Sequence, residues 1–179
     1  MRSRTVRDLK ETARVVLKHV ELAQVYTVGT QLETFDRFQG PPFITDTQVH
    51  VVGERRGDAV EVRARYTTDA SKEREDDGEG EPIPLWTISA ECIATFHITG
   101  DPEEVEFTDD QLEGFALLVG APAIHPYARE LTQDLSGRTL YPAFTLGLLH
   151  SFAELDDQTE IELSDPQGGG ATANSVNAD

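Results

Sequence analysis

Cysteine occurs once in the 179 residues, at Cys92. That excludes an internal disulfide framework and any CxxC metal site. Basic side chains are also scarce: 15 Lys and Arg stand against 33 Asp and Glu, for a net charge of −18. A phosphate backbone is held by clustered cations, so this balance argues against nucleic acid and against anionic membrane surfaces. No apolar run approaches the roughly 18 residues that a membrane span needs. The positively charged start, Met1 to Arg4, leads into Asp8, Lys10 and Glu11 rather than an apolar leader core. Together these features predict a cytoplasmic protein without membrane insertion. Motifs of chemistry are missing as well. His19, His50, His97, His125 and His150 include no pair three or four residues apart, so a helical metal pair is not expected. There is no GxGxxG, phosphate-binding loop or GxSxG. Carboxylate pairs such as Asp109-Asp110 and Asp156-Asp157 fall in polar, solvated stretches and make poor acid–base catalysts. The expectation is a protein that is not an enzyme and needs no cofactor or metal.

What is present is a chain long enough for one compact domain, with 38% apolar residues. Its charge is uneven. Residues 1–18 carry +4, residues 19–100 carry −8 and residues 101–179 carry −14. Such a field serves solubility or steers a basic partner, and composition does not choose between the two.

Periodicity places the elements. Val6, Leu9, Ala13, Val16, Leu17 and Val20 recur at three-and-four spacing, which predicts an amphipathic helix over 4–19. Strands are expected over about 21–33 and 45–55, on either side of an irregular Phe35–Phe43 stretch broken by Gly40-Pro41-Pro42. Val60, Val62, Ala64 and Tyr66 alternate with charged or polar residues, and so do Trp86, Ile88, Ala90, Cys92, Ala94, Phe96 and Ile98. These are strands of an antiparallel sheet with one covered face and one face open to solvent, joined by a mobile polar loop over 72–81. Cys92 falls on the covered face and reads as an inert thiol.

From Thr108 the period becomes helical. Thr108 and Gln111 form a candidate capping box, and Leu112, Phe115, Ala116 and Val119 a stripe interrupted at Gly120-Ala121-Pro122. A second helical run is expected to start near Pro126, with Tyr127, Leu131 and Leu135 as its apolar stripe and Gly137 at its end. Tyr141 to Leu149 reads as an apolar flap. The division expected is an N-terminal helix (1–19), a main domain (20–155) and an acidic, then Gly-rich, disordered tail (156–179). Strands first and helix after them indicate an α+β fold: a four-stranded antiparallel sheet followed by a long helix, with an extra N-terminal helix. Phe35, Phe38 and Phe43 in the early loop, and Tyr141, Phe144 and Leu146 in the flap, exceed what one sheet and one helix layer readily hide.

Pro126-Tyr127-Ala128-Arg129-Glu130, followed by Tyr141-Pro142 and Leu146, resembles the SecB export-chaperone family. Val25-Tyr26-Thr27 with Glu33 resembles that family's first strand, and the resemblance covers about residues 20–150. It implies a homotetramer, a dimer of dimers, that holds unfolded or precursor proteins in apolar grooves without ATP for export or delivery. The matching groove positions are Phe35, Phe38, Phe43, Val49, Val51, Tyr141, Phe144 and Leu146. The family's acidic docking positions for the translocation motor SecA match at Glu33 and, on the fourth strand, near Ser89 or Glu91, while a companion position is Gly29. Asp134 to Arg138, with Pro142 and Thr145-Leu146, resembles the SecB-like branch that protects antitoxins in toxin–antitoxin systems, and the N-terminal extension fits that branch. Two further readings stand beside this one. One is a small-ligand-binding α+β domain with a pocket between helix and sheet. The other is a structural oligomer whose flaps are consumed by assembly. If the flap is peripheral, Phe144→Asp weakens client binding and spares the fold.

Overall fold

The computed structural model describes residues 2–35, 40–73, 81–147, 156–163 and 171–173. The chain runs through a short strand β1 (Arg2–Thr5), helix α1 (Val6–Leu17) and four long strands: β2 (Val20–Thr34), β3 (Ile44–Arg56), β4 (Ala59–Lys72) and β5 (Ile83–Ile98). Helix α2 (Asp109–Phe115) passes through a π turn, Ala116–Gly120, into α3 (Ala121–Ser136). Two short strands follow, β6 (Glu160–Leu163) and β7 (Ala171–Ala173). The main sheet is antiparallel in the order β2-β5-β4-β3-β7, and β1 pairs with β6 in a separate ribbon.

The alternation in β4 and β5 sets the sheet's covered face. Val60, Val62, Ala64 and Tyr66 are buried opposite Phe96, Ala94, Cys92 and Ala90. The small side chains at the centre let the helical layer lie close. Gly120 sits so near β4 that a Cβ there would meet the Val62 Cγ1 methyl at 2.4 Å. The sheet's other face is not wholly open: Ile93 and Thr95 are buried on it. Cys92 is fully buried, with Thr27 Oγ1 3.9 Å from its sulfur, and burial pushes its thiol pKa up. It is the inert thiol the sequence reading expects.

Helix α1 begins where Thr5 and Asp8 form a capping box. Its buried residues Leu9, Ala13 and Val16 belong to the same core as β4, β5 and α3. Gly114 on α2 lies against it closely enough that a Cβ would meet Leu9 O at 3.0 Å. The N-terminal helix is therefore packed into the domain core. The capping box at Thr108 is present: Gln111 N–H donates to Thr108 Oγ1 (3.3 Å) and Thr108 N–H to Gln111 Oε1 (3.0 Å).

Three expectations change. Gly120-Ala121-Pro122 does not break the helix. The interruption is absorbed as a π turn, in which Ala121 N–H bonds Ala116 O, and Pro122, which has no N–H to give the ladder, follows directly on that widened turn. Pro126 lies inside α3 rather than at its start. The α3 face against the sheet consists of Ala121, Ile124, Ala128, Thr132 and Ser136, while Tyr127 from the expected stripe is 46% exposed. Small residues win this face because a helix crossing a sheet of Ala and Cys needs close approach.

Two described stretches of the tail lie in strands. Residues 160–163 pair in full register with 2–5, and 171–173 pair with Val49 to Val51 of β3. Backbone ladders supply this order, and the acidic and small side chains give no sign of it in the sequence. The loop expected over 72–81 falls mostly outside the described residues.

Candidate functional site

At one end of the sheet a second apolar cluster forms. Its buried members are Ala70, Leu85, Trp86, Ile88 and Tyr141, with Leu32, Phe43, Leu135 and Phe144 half-buried around them. The end of β2, the starts of β3 and β5, the end of α3 and the flap all meet here. Phe35 joins the frame through its N–H, which donates to Leu85 O at 2.9 Å.

The flap is fastened to the end of α3 by hydroxyls. Phe144 N–H donates to Ser136 Oγ (2.8 Å), and Tyr141 N–H donates to Thr139 Oγ1 (3.1 Å), which itself donates to Ser136 O (2.7 Å). Tyr141 then meets Phe43 edge to face, with ring centroids 5.3 Å apart, and Phe144 lies 6.0 Å from Trp86. Both are distances at which aromatic rings attract. The seven flap residues described, 141–147, are extended and irregular, and the rest of the expected flap lies outside the described residues.

The groove positions read from the resemblance divide accordingly. Phe35, Phe43, Val49 and Phe144 are half-buried, each presenting part of its side chain. Tyr141 (8% exposed) is buried within the second cluster, and Leu146 (3%) and Val51 (4%) are buried in the main core. Phe38 lies outside the described residues. Phe43, Tyr141 and Phe144 converge on the second cluster, Phe35 reaches it only through its backbone N–H, and Val49, Val51 and Leu146 pack with the main core. The sequence reading missed Ile44 (46% exposed) and Leu140 (78% exposed), which flank the Phe43–Tyr141 contact along the chain. It also missed Trp86 as the ring beneath Phe144. The signal for Ile44 and Leu140 was adjacency to the aromatic positions, since neither carries an aromatic ring itself.

The two proposed motor-docking carboxylates have different surroundings. Glu33 is exposed at the end of β2 and lies in one cross-sheet row with Thr87, Asp69 and Asp46. Glu91, by contrast, is enclosed between two guanidiniums: Arg63 Nη1 donates to it at 2.8 Å and Arg65 Nε at 2.9 Å. The Arg65 hydrogen bond, aided by Arg63, holds its pKa below the usual carboxylate value. Glu91 is thus already paired and presents no free negative charge, because the open face carries two arginines beside it.

His125 links the flap to the covered face. Its Nε2 lies 2.9 Å from Gly147 O, and its ring is 5.7 Å from that of buried Tyr66. Its Nδ1 is buried and unbonded. Burial, and secondarily Arg129, lower its pKa below the usual 6.5, partly offset by the Gly147 carbonyl. The folded chain therefore binds fewer protons than the unfolded chain as pH falls below about 6.5, so stability declines there on acidification. His50, lowered by burial and Arg65, adds in the same direction. His125→Gln is expected to shrink the drop in urea midpoint between pH 7 and pH 5. An unchanged drop would remove His125 from the acid response.

Open clefts among the described residues include one of about 280 Å³ beside Gly29, Arg65 and Glu91 and one of about 330 Å³ beside Ala13, Leu17 and Leu118. Neither lies between α3 and the sheet, where the small-ligand reading places its pocket. Among the described residues, no three His, Cys, Asp or Glu side chains converge as a metal ion would require. No helix among the described residues is long and apolar enough to cross a membrane.

An antiparallel sheet built on four long strands and backed by a long helix, with an N-terminal helix in its core, has a match among solved structures. A Mycobacterium tuberculosis SecB-like chaperone, Rv1957, solved in complex with a ChAD peptide from the HigA1 antitoxin, superposes with a TM-score of 0.65. The superposition covers 79% of this chain and 99% of that one, at 22% identity. The fold is SecB-like. Two curated relatives, the SecB-like chaperones Rv1957 and MT2006 from two Mycobacterium tuberculosis strains, are each 33% identical over 76 residues. That stretch is 42% of this chain and 42% of each relative, so the match spans less than half of the curated relatives' length. No protein-family model matches. The SecB-like resemblance read from the sequence, including its toxin–antitoxin branch, points to the same proteins.

Proposed function

We propose that this chain is an ATP-independent holdase that keeps unfolded proteins from aggregating by binding extended apolar segments. The observation that carries the reading is the half-open aromatic cluster, where Phe43 and Phe144 are half-buried beside exposed Ile44 and Leu140. Apolar burial stabilises by about 25 cal/mol per Å² and has no directionality, so such a surface accepts many sequences and selects for unfolded state. The fold shared with a chaperone that binds an antitoxin peptide supports a second, narrower reading, in which the client is one antitoxin held for delivery.

Assembly into a homotetramer fits the exposed side of α3, where Tyr127 stands out, and the edge of β2, unpaired among the described residues, with Leu22, Tyr26 and Val28 exposed. A long client then engages several copies of the surface at once, which raises avidity. SecA, if it docks, is expected on the acidic row of Glu33, Asp69 and Asp46 rather than at Glu91. The protein acts in the cytoplasm in this reading and uses no enzyme chemistry.

The test is light scattering of the purified protein with and without a reduced, unfolded lactalbumin, together with aggregation assays lacking nucleotide. Suppression of aggregation and a stable complex are expected. Ile44→Asp and Leu140→Asp are expected to weaken binding about three- to tenfold, a loss of roughly 1 kcal/mol, while leaving the urea midpoint in place. No suppression across several unfolded clients overturns the reading. Tight binding of antitoxin C-terminal peptides alone favours the narrower one.

A further inference from the structure

The β3 edge that carries two of the expected client positions is already occupied. Residues Ala171 to Ala173 pair antiparallel with it, Ala173 opposite Val49, Thr172 opposite His50 and Ala171 opposite Val51. We propose that this tail strand is a built-in competitor, and that an extended, alternately apolar segment of an unfolded protein gains the β3 edge by displacing it. The inference rests on the holdase reading and deepens it by adding a self-occupied site.

Three features of the chain support a competitor that yields. First, the tail strand is three residues long against a 13-residue β3, so most of that edge remains unpaired by it. Second, its residues are Ala, Thr and Ala, following Gly168-Gly169-Gly170. Ala and Thr are small residue types, so a client with larger alternate side chains adds more burial to the same main-chain ladder. Third, the tail is tethered nearby. β6 is locked to β1 in full register, and Val6 N–H donates to Thr159 O at 2.9 Å. Lys10 Nζ reaches Asp157 at 2.7 Å. Seven residues then separate Leu163 from Ala171. A link of seven residues to a fastened neighbour raises the strand's effective concentration at the β3 edge, so a weak strand stays seated until a better one arrives.

The arrangement makes apparent client affinity the intrinsic affinity reduced by the fraction of chains with a free edge. The probe is reduced, unfolded lactalbumin carrying a fluorophore, followed by anisotropy against the full chain and a chain ending at Gln167. Removing residues 168–179 deletes one charged side chain, Asp179, so steering is nearly unchanged. The shortened chain is expected to bind about tenfold more tightly, as for an edge free in roughly a tenth of full-length molecules. A synthetic 164–179 peptide added in excess is expected to restore the weaker binding. Within the full chain, Ala171→Pro or Thr172→Pro should reproduce the gain. Adjacent strand residues point their N–H groups to opposite sides, so one of the two prolines removes a donor from the ladder. Equal affinity of full and shortened chains overturns the inference while leaving the holdase reading intact. Binding by neither chain overturns both.

Discussion

Phe144→Asp is expected to lower the stability of the folded chain by about 3–5 kcal/mol, well beyond a surface effect. The ring stacks near Trp86, touches both apolar clusters, and its backbone is bonded to Ser136. A carboxylate in its place loses the ring's burial and adds a charge with no cation beside it in the cluster. Against a typical total of about 5–15 kcal/mol, this is a third or more of the margin. The sequence alone places Phe144 in a peripheral flap, where the same change would spare the fold. Urea denaturation decides. A midpoint that falls by more than a molar, with client binding lost in parallel, makes the flap part of the core. An unchanged midpoint with lost client binding returns it to the periphery.

Phe115→Ala is expected to cost about 3–5 kcal/mol as well, and for a different reason. Phe115 is fully buried and meets Phe96 edge to face at 4.8 Å, at the point where α2 enters the π turn. Its ring fills space between the helical layer and β5, and Gly114 beside it already holds α1 at close range. The backbone there is pinned on both sides, so the cavity cannot collapse and the full penalty is expected. Phe115→Leu, which keeps most of the volume, is expected to cost less than half as much. Equal costs for Ala and Leu would show that the edge-to-face geometry, rather than the filled volume, matters.

The parts of this fold legible in the sequence are those governed by one residue's neighbours in the chain. The period-two pattern of 60–66 and 86–98 gave β4 and β5 because one face of each is buried by the same layer. The stripe of α1 and the Thr108 capping box are likewise local. Illegible were features set by partners far along the chain. Ser3 and Glu162 pair across the β1–β6 ribbon without any alternation to announce it. Pro126 reads as a helix start by local rules, yet the π turn upstream had already set the helical path. Of the candidate site, the aromatic positions were legible as surplus apolar surface. Their division into buried and half-buried positions was not, since burial of Tyr141 depends on Phe43 nearly a hundred residues earlier. Glu91 likewise looked like a free carboxylate until the sheet register brought Arg63 and Arg65 alongside.

The β1–β6 ribbon bears on how the molecule matures during synthesis. Its first strand leaves the ribosome long before the second, because Thr5 is registered with Glu160. Sheet and helices can assemble vectorially in between, but the N-terminal segment must wait for its complement. Closure of the ribbon is therefore a late, long-range event in folding, with the loop-closure cost that such pairings carry. A nascent polypeptide stalled before residue 160 would display those first residues unclasped.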